Sequence, residues 1–338
     1  MNAKDRFYNH KMGVFNHFLS VLQNNPICPH SYGRQTDWDT LVHEFDVDRV
    51  ARTLHEIGAG YYVLTVMQGT RYMIAPNVTF DRIAGTKPGE ACATRDLIWD
   101  MIHALEPYGI DLFLYFTGDG PYKDHPEGDR FGFVEPREVG VTRPFVERWA
   151  DVLREYSTRY GAHVKGWWID GCYREYFRYT DDLLALYYNA CKEGNPHALV
   201  ALNNGVTHTE FSADVPFEDF ICGECTDFDK IPSSRFFGGA QAHVLAPLGT
   251  LADWMPKDLV DDMIGPGWGQ FGASRSREYL ADYVDRVHRA GGVVTFDIGV
   301  YRDGAFDPRQ VEILRYVREK NPSQNEIYRE ATEKALER

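Results

Sequence analysis

The stretch Gly166-Trp167-Trp168-Ile169-Asp170-Gly171 decides how this 338-residue chain is read. An apolar run that ends in a carboxylate and then a glycine describes a buried strand delivering one charged group to its carboxyl end. In parallel α/β folds that end carries the chemistry, because the loops there vary while the strands stay fixed. Asp170 is therefore the first candidate, as a catalytic nucleophile.

The pattern repeats on both sides of that strand. Upstream, Met12–Ser20 (with Asn16 and His17 embedded), Tyr61–Met67 and Ile110–Phe116 are apolar runs of strand length. Downstream, Ala198–Leu202, Phe220–Glu224, Ala240–Leu245 and Gly292–Ile298 continue the series. Helical spacing separates them: Val47–Gly58 with Val50, Leu54 and Ile57, a helix capped by Thr94 and running to Tyr108, then 143–160, 180–193, 276–290, and Pro308 to Lys320. Eight strands alternating with helices predict an α/β fold, a (β/α)8 TIM-like barrel over about 11–320 in a single domain. Residues 321–338 read as a polar C-terminal helix or tail, with no C-terminal β-sandwich. A doubly wound open sheet is the rival, and it lacks a glycine-rich phosphate turn after the first strand. The segments 117–140 and 225–270 are long, rich in Gly, Pro and charge, and are expected to build a binding site.

Composition removes several classes of partner. A net charge of −14 repels phosphate backbones and anionic lipid, so neither nucleic acid nor a membrane surface is an expected partner. No apolar run approaches the roughly 18 residues that span a bilayer. The start of the chain has no apolar signal core, which points to the cytoplasm, although a chain trimmed of a secretory leader would read the same. Of the six cysteines (Cys28, Cys92, Cys172, Cys191, Cys222, Cys225) only Cys222 and Cys225 form a close pair. That pair lacks the second pair or the histidines of a structural zinc site, so reduced thiols are expected. The load of 20 Tyr, 20 Phe and 7 Trp is core material first, and it also suits stacking against sugar rings.

The strand ends offer His17, Gln68, Thr117 and Asp119, Asp170, Asn203 and Asn204, Glu224, and Asp297. This ring of carboxylates, amides and one imidazole suits a neutral polyol, with two carboxylates held for acid and base work. Phosphoryl transfer would want cations. Tyr115, Trp168 and Trp268 complete the candidate wall of a sugar site. No cofactor and no metal is required by this set, the alternative being a carboxylate-bound Mg²⁺ or Mn²⁺ with His17. Each residue also has a plainer reading: Asp170 as a helix cap, Glu224 as a salt-bridged surface group, His17 as a satisfied core histidine, the tryptophans as packing.

Several blocks resemble the α-L-fucosidases of glycoside hydrolase family 29. Lys11-Met-Gly-Val-Phe-Asn-His17-Phe is similar to that family's K-x-G-[IV]-F-x-H-W, and Tyr62-Val-Leu-Thr to its Y-x-V-L-T. Arg95-Asp96-Leu followed by Gly109-Ile-Asp-Leu-Phe-Leu-Tyr-Phe resembles R-D-L with G-[LI]-x-[FL]-x-x-Y-[YF]. Trp168-Ile-Asp170-Gly resembles W-[FN]-D-G, Asn204 falls where an N-[DN]-R segment lies, and Asp219-Phe-Ile-Cys-Gly-Glu224 lines up with D-[FY]-x-T-x-E. Gly291 to Gly299 is similar to G-G-N-x-L-L-N-I-G. The blocks keep their order over roughly residues 11–318. The resemblance implies a retaining exo-glycosidase with Asp170 as nucleophile, Glu224 as general acid/base, and their carboxyls about 5–5.5 Å apart. Two departures stand out. Met67-Gln68-Gly69-Thr70 replaces the H-H-D-G that grips fucose hydroxyls, and Asp297 replaces an asparagine, so the sugar need not be fucose. The expected partner is an oligosaccharide or glycoconjugate, and a homo-oligomer is compatible with the chain. Two rival functions are a non-catalytic glycan-binding barrel and a metal-dependent sugar isomerase or lyase.

Overall fold

The structure, a computed structural model, describes residues 2–133, 140–250 and 267–321. Its strands are β1 (Met12–Asn16), β2 (Tyr61–Thr65), β3 (Asp111–Thr117), β4 (Val164–Asp170), β5 (Leu199–Leu202), β6 (Phe236–Phe237), β7 (Ala240–Gln241), β8 (His243–Pro247) and β9 (Val293–Asp297). Seven of them form one curled sheet in the order β5-β4-β3-β2-β1-β9-β8, every pair parallel. β6 and β7 make a separate antiparallel pair. Helices lie where the apolar spacing placed them, at Val47–Glu56, Leu97–Leu105, Arg143–Tyr160, Asp181–Gly194, Arg277–Arg289 and Pro308–Lys320. The first five are crossovers that return the chain to the start of the next parallel strand, and the sixth follows β9. The helix at 97–105 is capped by Asp96, which accepts from the Trp99 N–H at 3.0 Å, whereas Thr94 bonds Asp39.

The expected closed ring of eight strands is corrected to an open barrel. Phe220–Glu224 is no regular strand: it makes isolated bridges, Phe220 to Gln241 of the β6–β7 pair and Glu224 to Leu245 of β8. Gly223 explains the break. Its φ is +60°, and a Cβ there would collide with the His243 carbonyl, so only glycine lets the chain turn here and aim the next side chain inward. The run 240–245 likewise divides, Ala240–Gln241 closing the small hairpin and His243 beginning β8. The first strand stops at Asn16, and Ser20 opens a short helix. Residues 322–338, expected as a polar tail, and the parts of the two long loops at 134–139 and 251–266 lie outside the described residues.

Alternate residues of each strand point to the barrel axis, because side chains along a strand change face at every step. Phe15, Tyr61, Val63, Phe113, Tyr115, Trp168, Leu199, Ala201, Phe220, Cys222, Leu245 and Val293 pack together there as an interior core. Gly13 and Gly166 make room for it, since a Cβ on either would fall inside the ring of Tyr61 or Phe113. Gly13→Ala is therefore expected to cost about 1–3 kcal/mol through overpacking. A lowered melting temperature by calorimetry checks this, and an unchanged one would show that the ring moves freely. The amino-terminal mouth is stoppered by the helix Ala3–His10, which the sequence reading lacked. Phe7 inserts its ring 5.0 Å from Tyr61 and 5.0 Å from Phe220, while Arg6 and His10 both bond the buried Asp111. Among the described residues no helix is long and apolar enough to cross a membrane, and all six cysteines are buried free thiols.

Candidate active site

At the opposite mouth the interior parity continues past the core and ends in polar groups: His17 after β1, Thr117 on β3, Asp170 on β4, Asn203 after β5, Glu224 and Asp297. Asp170 is the hub. Its Oδ1 accepts from the Gly171 N–H at 2.8 Å, from Asn203 Nδ2 at 2.8 Å and from the Tyr173 hydroxyl at 3.3 Å. Its Oδ2 accepts from the Tyr115 hydroxyl at 2.5 Å. Burial, then the charge of Asp170, hold the Tyr115 phenol far above its ordinary range, so it stays a donor. Its ring stacks on Trp168, with centroids 5.4 Å apart.

Asn203 joins the two carboxylates. The same Nδ2 that bonds Asp170 donates to Glu224 Oε2 at 2.5 Å. The Gly205 N–H donates to Asn203 Oδ1 at 3.1 Å, which fixes which end of the amide faces them. Two oxygens held by one nitrogen can be no further apart than those two bond lengths together, about 5.3 Å. Burial first, and Asp170's charge second, push Glu224 up to about 8 against the lowering pull of Asn203. A carboxyl so placed keeps its proton at neutral pH.

On one flank, His17 Nδ1 lies 3.0 Å from Asp297 Oδ1, and the Gly269 N–H donates to Asp297 Oδ2 at 2.5 Å. Burial raises Asp297, opposed by His17 and by that amide. The His17 ring sits edge-on to Tyr115 and to Trp268, 5.9 and 6.0 Å between centroids. On the other flank, a cavity of about 350 Å³ is bounded by Gln68, Thr117, Asp119, Asp170, Tyr173 and Tyr176. Asp119 is buried and raised to about 7, chiefly by desolvation, with Asp170 adding to it and Thr117 and Lys123 opposing.

The structure thus brings together His17, Tyr115, Trp168, Asp170, Glu224, Trp268 and Asp297, and it seats Gln68 and Asp119 in the adjoining cavity. Asn204 turns away: its side chain accepts from the Arg174 N–H at 2.7 Å and shapes the loop after β4. Asn203 takes the central place instead. Strand parity is the signal for it, since Leu199 and Ala201 both face inward and put residue 203 on the same side. Tyr173 is a further contact of Asp170 that the sequence reading did not single out. Among the described residues, no three His, Cys, Asp or Glu side chains are grouped closely enough to hold a metal ion.

Asp119 also sets a stability test. Its carboxyl sits above the ordinary value of 3.8, so its stabilising balance is complete below about pH 4 and is lost as pH rises through about 7. Asp119→Asn does not titrate. It is expected to gain on the wild type between those limits by up to roughly 4 kcal/mol, the worth of about three pKa units. Melting temperatures at pH 4 and pH 8 check this, and a constant difference between the two proteins would refute it.

Comparison with known proteins places the fold. No family model and no curated sequence matches the chain. Solved structures do. An endo-fucoidan hydrolase of glycoside hydrolase family 107 superposes with a TM-score of 0.63 at 14% identity, over 93% of this chain and 53% of that one. A family 29 α-L-fucosidase from Bacteroides thetaiotaomicron, trapped as a covalent intermediate, gives 0.62 at 17% identity over 94% and 74%. The α-L-fucosidase AlfC, in complex with Fucα(1,6)GlcNAc, gives 0.60 at 16% identity over 96% and 99%. The class is therefore that of a TIM-like barrel whose solved neighbours are fucose-processing glycoside hydrolases. Within it this chain is a divergent member of the fold, spanning about half the length of the fucoidan hydrolase it matches.

Proposed function

We propose that the protein is a retaining exo-glycosidase, α-L-fucosidase-like in mechanism, acting on an oligosaccharide or glycoconjugate whose terminal sugar need not be fucose. The observation that supports this most is the single Asn203 nitrogen bonded to both Asp170 and Glu224. A separation capped near 5.3 Å suits the roughly 5–5.5 Å of a double displacement and falls short of the roughly 6.5–9.5 Å that an inverting enzyme keeps for its water. Asp170 Oδ2, bonded to Tyr115, keeps a lone pair to attack the anomeric carbon, while Oδ1 is held by Gly171, Tyr173 and Asn203. Glu224, protonated, gives its proton to the leaving oxygen. It then takes one from the water that hydrolyses the glycosyl-aspartate, which restores both carboxyls.

The polar lining and the room for about one sugar ring support the exo reading. Aryl α-L-fucosides, β-D-arabinosides and α-L-galactosides are the substrates to try. The expected result is release of the aryl group, with a 2-fluoro glycosyl fluoride labelling Asp170 covalently, read by peptide mass spectrometry. A label on another residue, or turnover with inverted stereochemistry, overturns the mechanism. Because Glu224 must be protonated to act as acid, kcat/KM is expected to hold at neutral pH and to fall tenfold per pH unit above about pH 8. A flat profile up to pH 10 would remove Glu224 from that role.

A further inference from the structure

We propose that the cavity beside Asp170 is a subsite that reads two hydroxyl groups of a neutral sugar, with Asp119 and Gln68 as the acceptors that select them. The proposal rests on the glycosidase reading of Asp170 and goes further, because it names what the substrate must present. Two residues lining this cavity, Asp119 and Gln68, each carry a buried side-chain oxygen, Oδ1 and Oε1, that has no hydrogen-bond partner among the described residues. Asp119 is only 7% exposed. Buried polar atoms are almost always paired in a folded protein, so two orphans lining one cavity mark where a ligand or solvent completes the set.

Both orphans are acceptors. A ligand that completes them must bring donors of its own. Sugar hydroxyls do; a methyl, a ring oxygen or a deoxygenated carbon does not. An anionic substituent is disfavoured as well, since it would bring acceptors and charge against Asp119 and Asp170. Lys123, which also lines the cavity, sets one cation against those two carboxylates. Tyr173 and Tyr176 supply apolar faces on the same wall, suited to the C–H face of a pyranose. The position of the cavity decides which part of the sugar it reads. It borders Asp170 and not Glu224, so it holds the ring that Asp170 attacks rather than the leaving group.

The test compares wild type with Asp119→Ala and Gln68→Ala, each checked for its melting temperature. Asp119→Leu serves if the alanine variant does not fold, because it nearly keeps the volume and removes both acceptor oxygens. Binding of L-fucose, L-galactose and D-arabinose is measured by calorimetry, and kcat/KM on the matching 4-nitrophenyl glycosides. The wild type is expected to bind at least one of these sugars, and each variant to bind it roughly 10- to 100-fold more weakly, the cost of leaving one buried partner unpaired. One monodeoxy form of that sugar should bind wild type as weakly as the parent binds Asp119→Ala, and should lose nothing more on that variant. Variants within threefold of wild type, no binding of any of the three sugars, or equal binding of a uronic acid would overturn the subsite. The two readings fail separately. Asp119-dependent binding without cleavage of any glycoside sinks the hydrolase and leaves the subsite standing. Cleavage with Asp170 labelled, but indifferent to residues 68 and 119, sinks the subsite and leaves the hydrolase.

Discussion

Asp170→Asn is expected to lose aryl-glycoside turnover by roughly 10⁴-fold or more, the scale on which a catalytic unit fails when its nucleophile is removed. The substitution is close to silent structurally. The amide oxygen can take the place of Oδ1 and accept from Gly171, Asn203 and Tyr173, while its NH2 meets the Tyr115 hydroxyl, which can turn to accept. Fold and sugar binding should therefore survive, shown by an unchanged melting temperature and by calorimetric titration. That combination separates an enzyme from a glycan-binding barrel on the same scaffold, since a binding protein has no turnover to lose. A second consequence follows for the partner carboxyl. Asp170's charge helps to hold Glu224 up at about 8, so removing it should lower the pKa that limits the residual rate. Turnover that survives within tenfold would sink Asp170 as the nucleophile.

The second large effect falls on Asn203. Replacing it by alanine removes the one donor common to both carboxylates, and a loss of about 10²–10³-fold in kcat is expected, comparable with deleting one donor from a preorganised electrostatic site. A merely structural role would not move the pH profile. Here it should move, because Asn203 favours the charged form of Glu224 and its removal frees that pKa to rise. The alkaline limb of kcat/KM is expected to shift upward in Asn203→Ala. In Asn203→Asp a third carboxylate between the first two should cost more than alanine does, through like-charge repulsion in a buried setting. If the limb stays where it is in the alanine variant, Asn203 does not couple the pair.

How much of this was legible from residues alone follows from how local each signal is. The Trp167–Asp170 strand and its carboxylate were readable because a buried run ending in a charge has few other meanings, and the paired helices followed from spacing and caps. Glu224 is legible as the end of a sixth apolar run and through the likeness of Asp219–Glu224 to a family block, yet its segment is no regular strand. The glycine that lets Glu224 face inward also breaks the backbone geometry a strand needs. The choice between Asn203 and Asn204 turns on a one-residue shift, which flips a side chain between barrel interior and rim. Apolar content cannot resolve that step, whereas counting inward from Leu199 and Ala201 can. The stopper helix Ala3–His10 was missed for the opposite reason. It buries only Phe7, so it has no amphipathic stripe to find.

The broken ladder at Phe220–Glu224 has a consequence for how this site changes over time. Asp170 rides on a strand hydrogen-bonded along its length to both neighbours, whereas Glu224 hangs between isolated bridges beside the gap in the ring. Backbone amides of β4 should therefore resist hydrogen–deuterium exchange far longer than those of residues 220–225, with a boundary running between Asp170 and Glu224. The same asymmetry loosens inheritance. The stave that bears Glu224 can be lengthened, shortened or re-aimed without unravelling the one that bears Asp170. In this barrel, divergence has its easiest route on the Glu224 side.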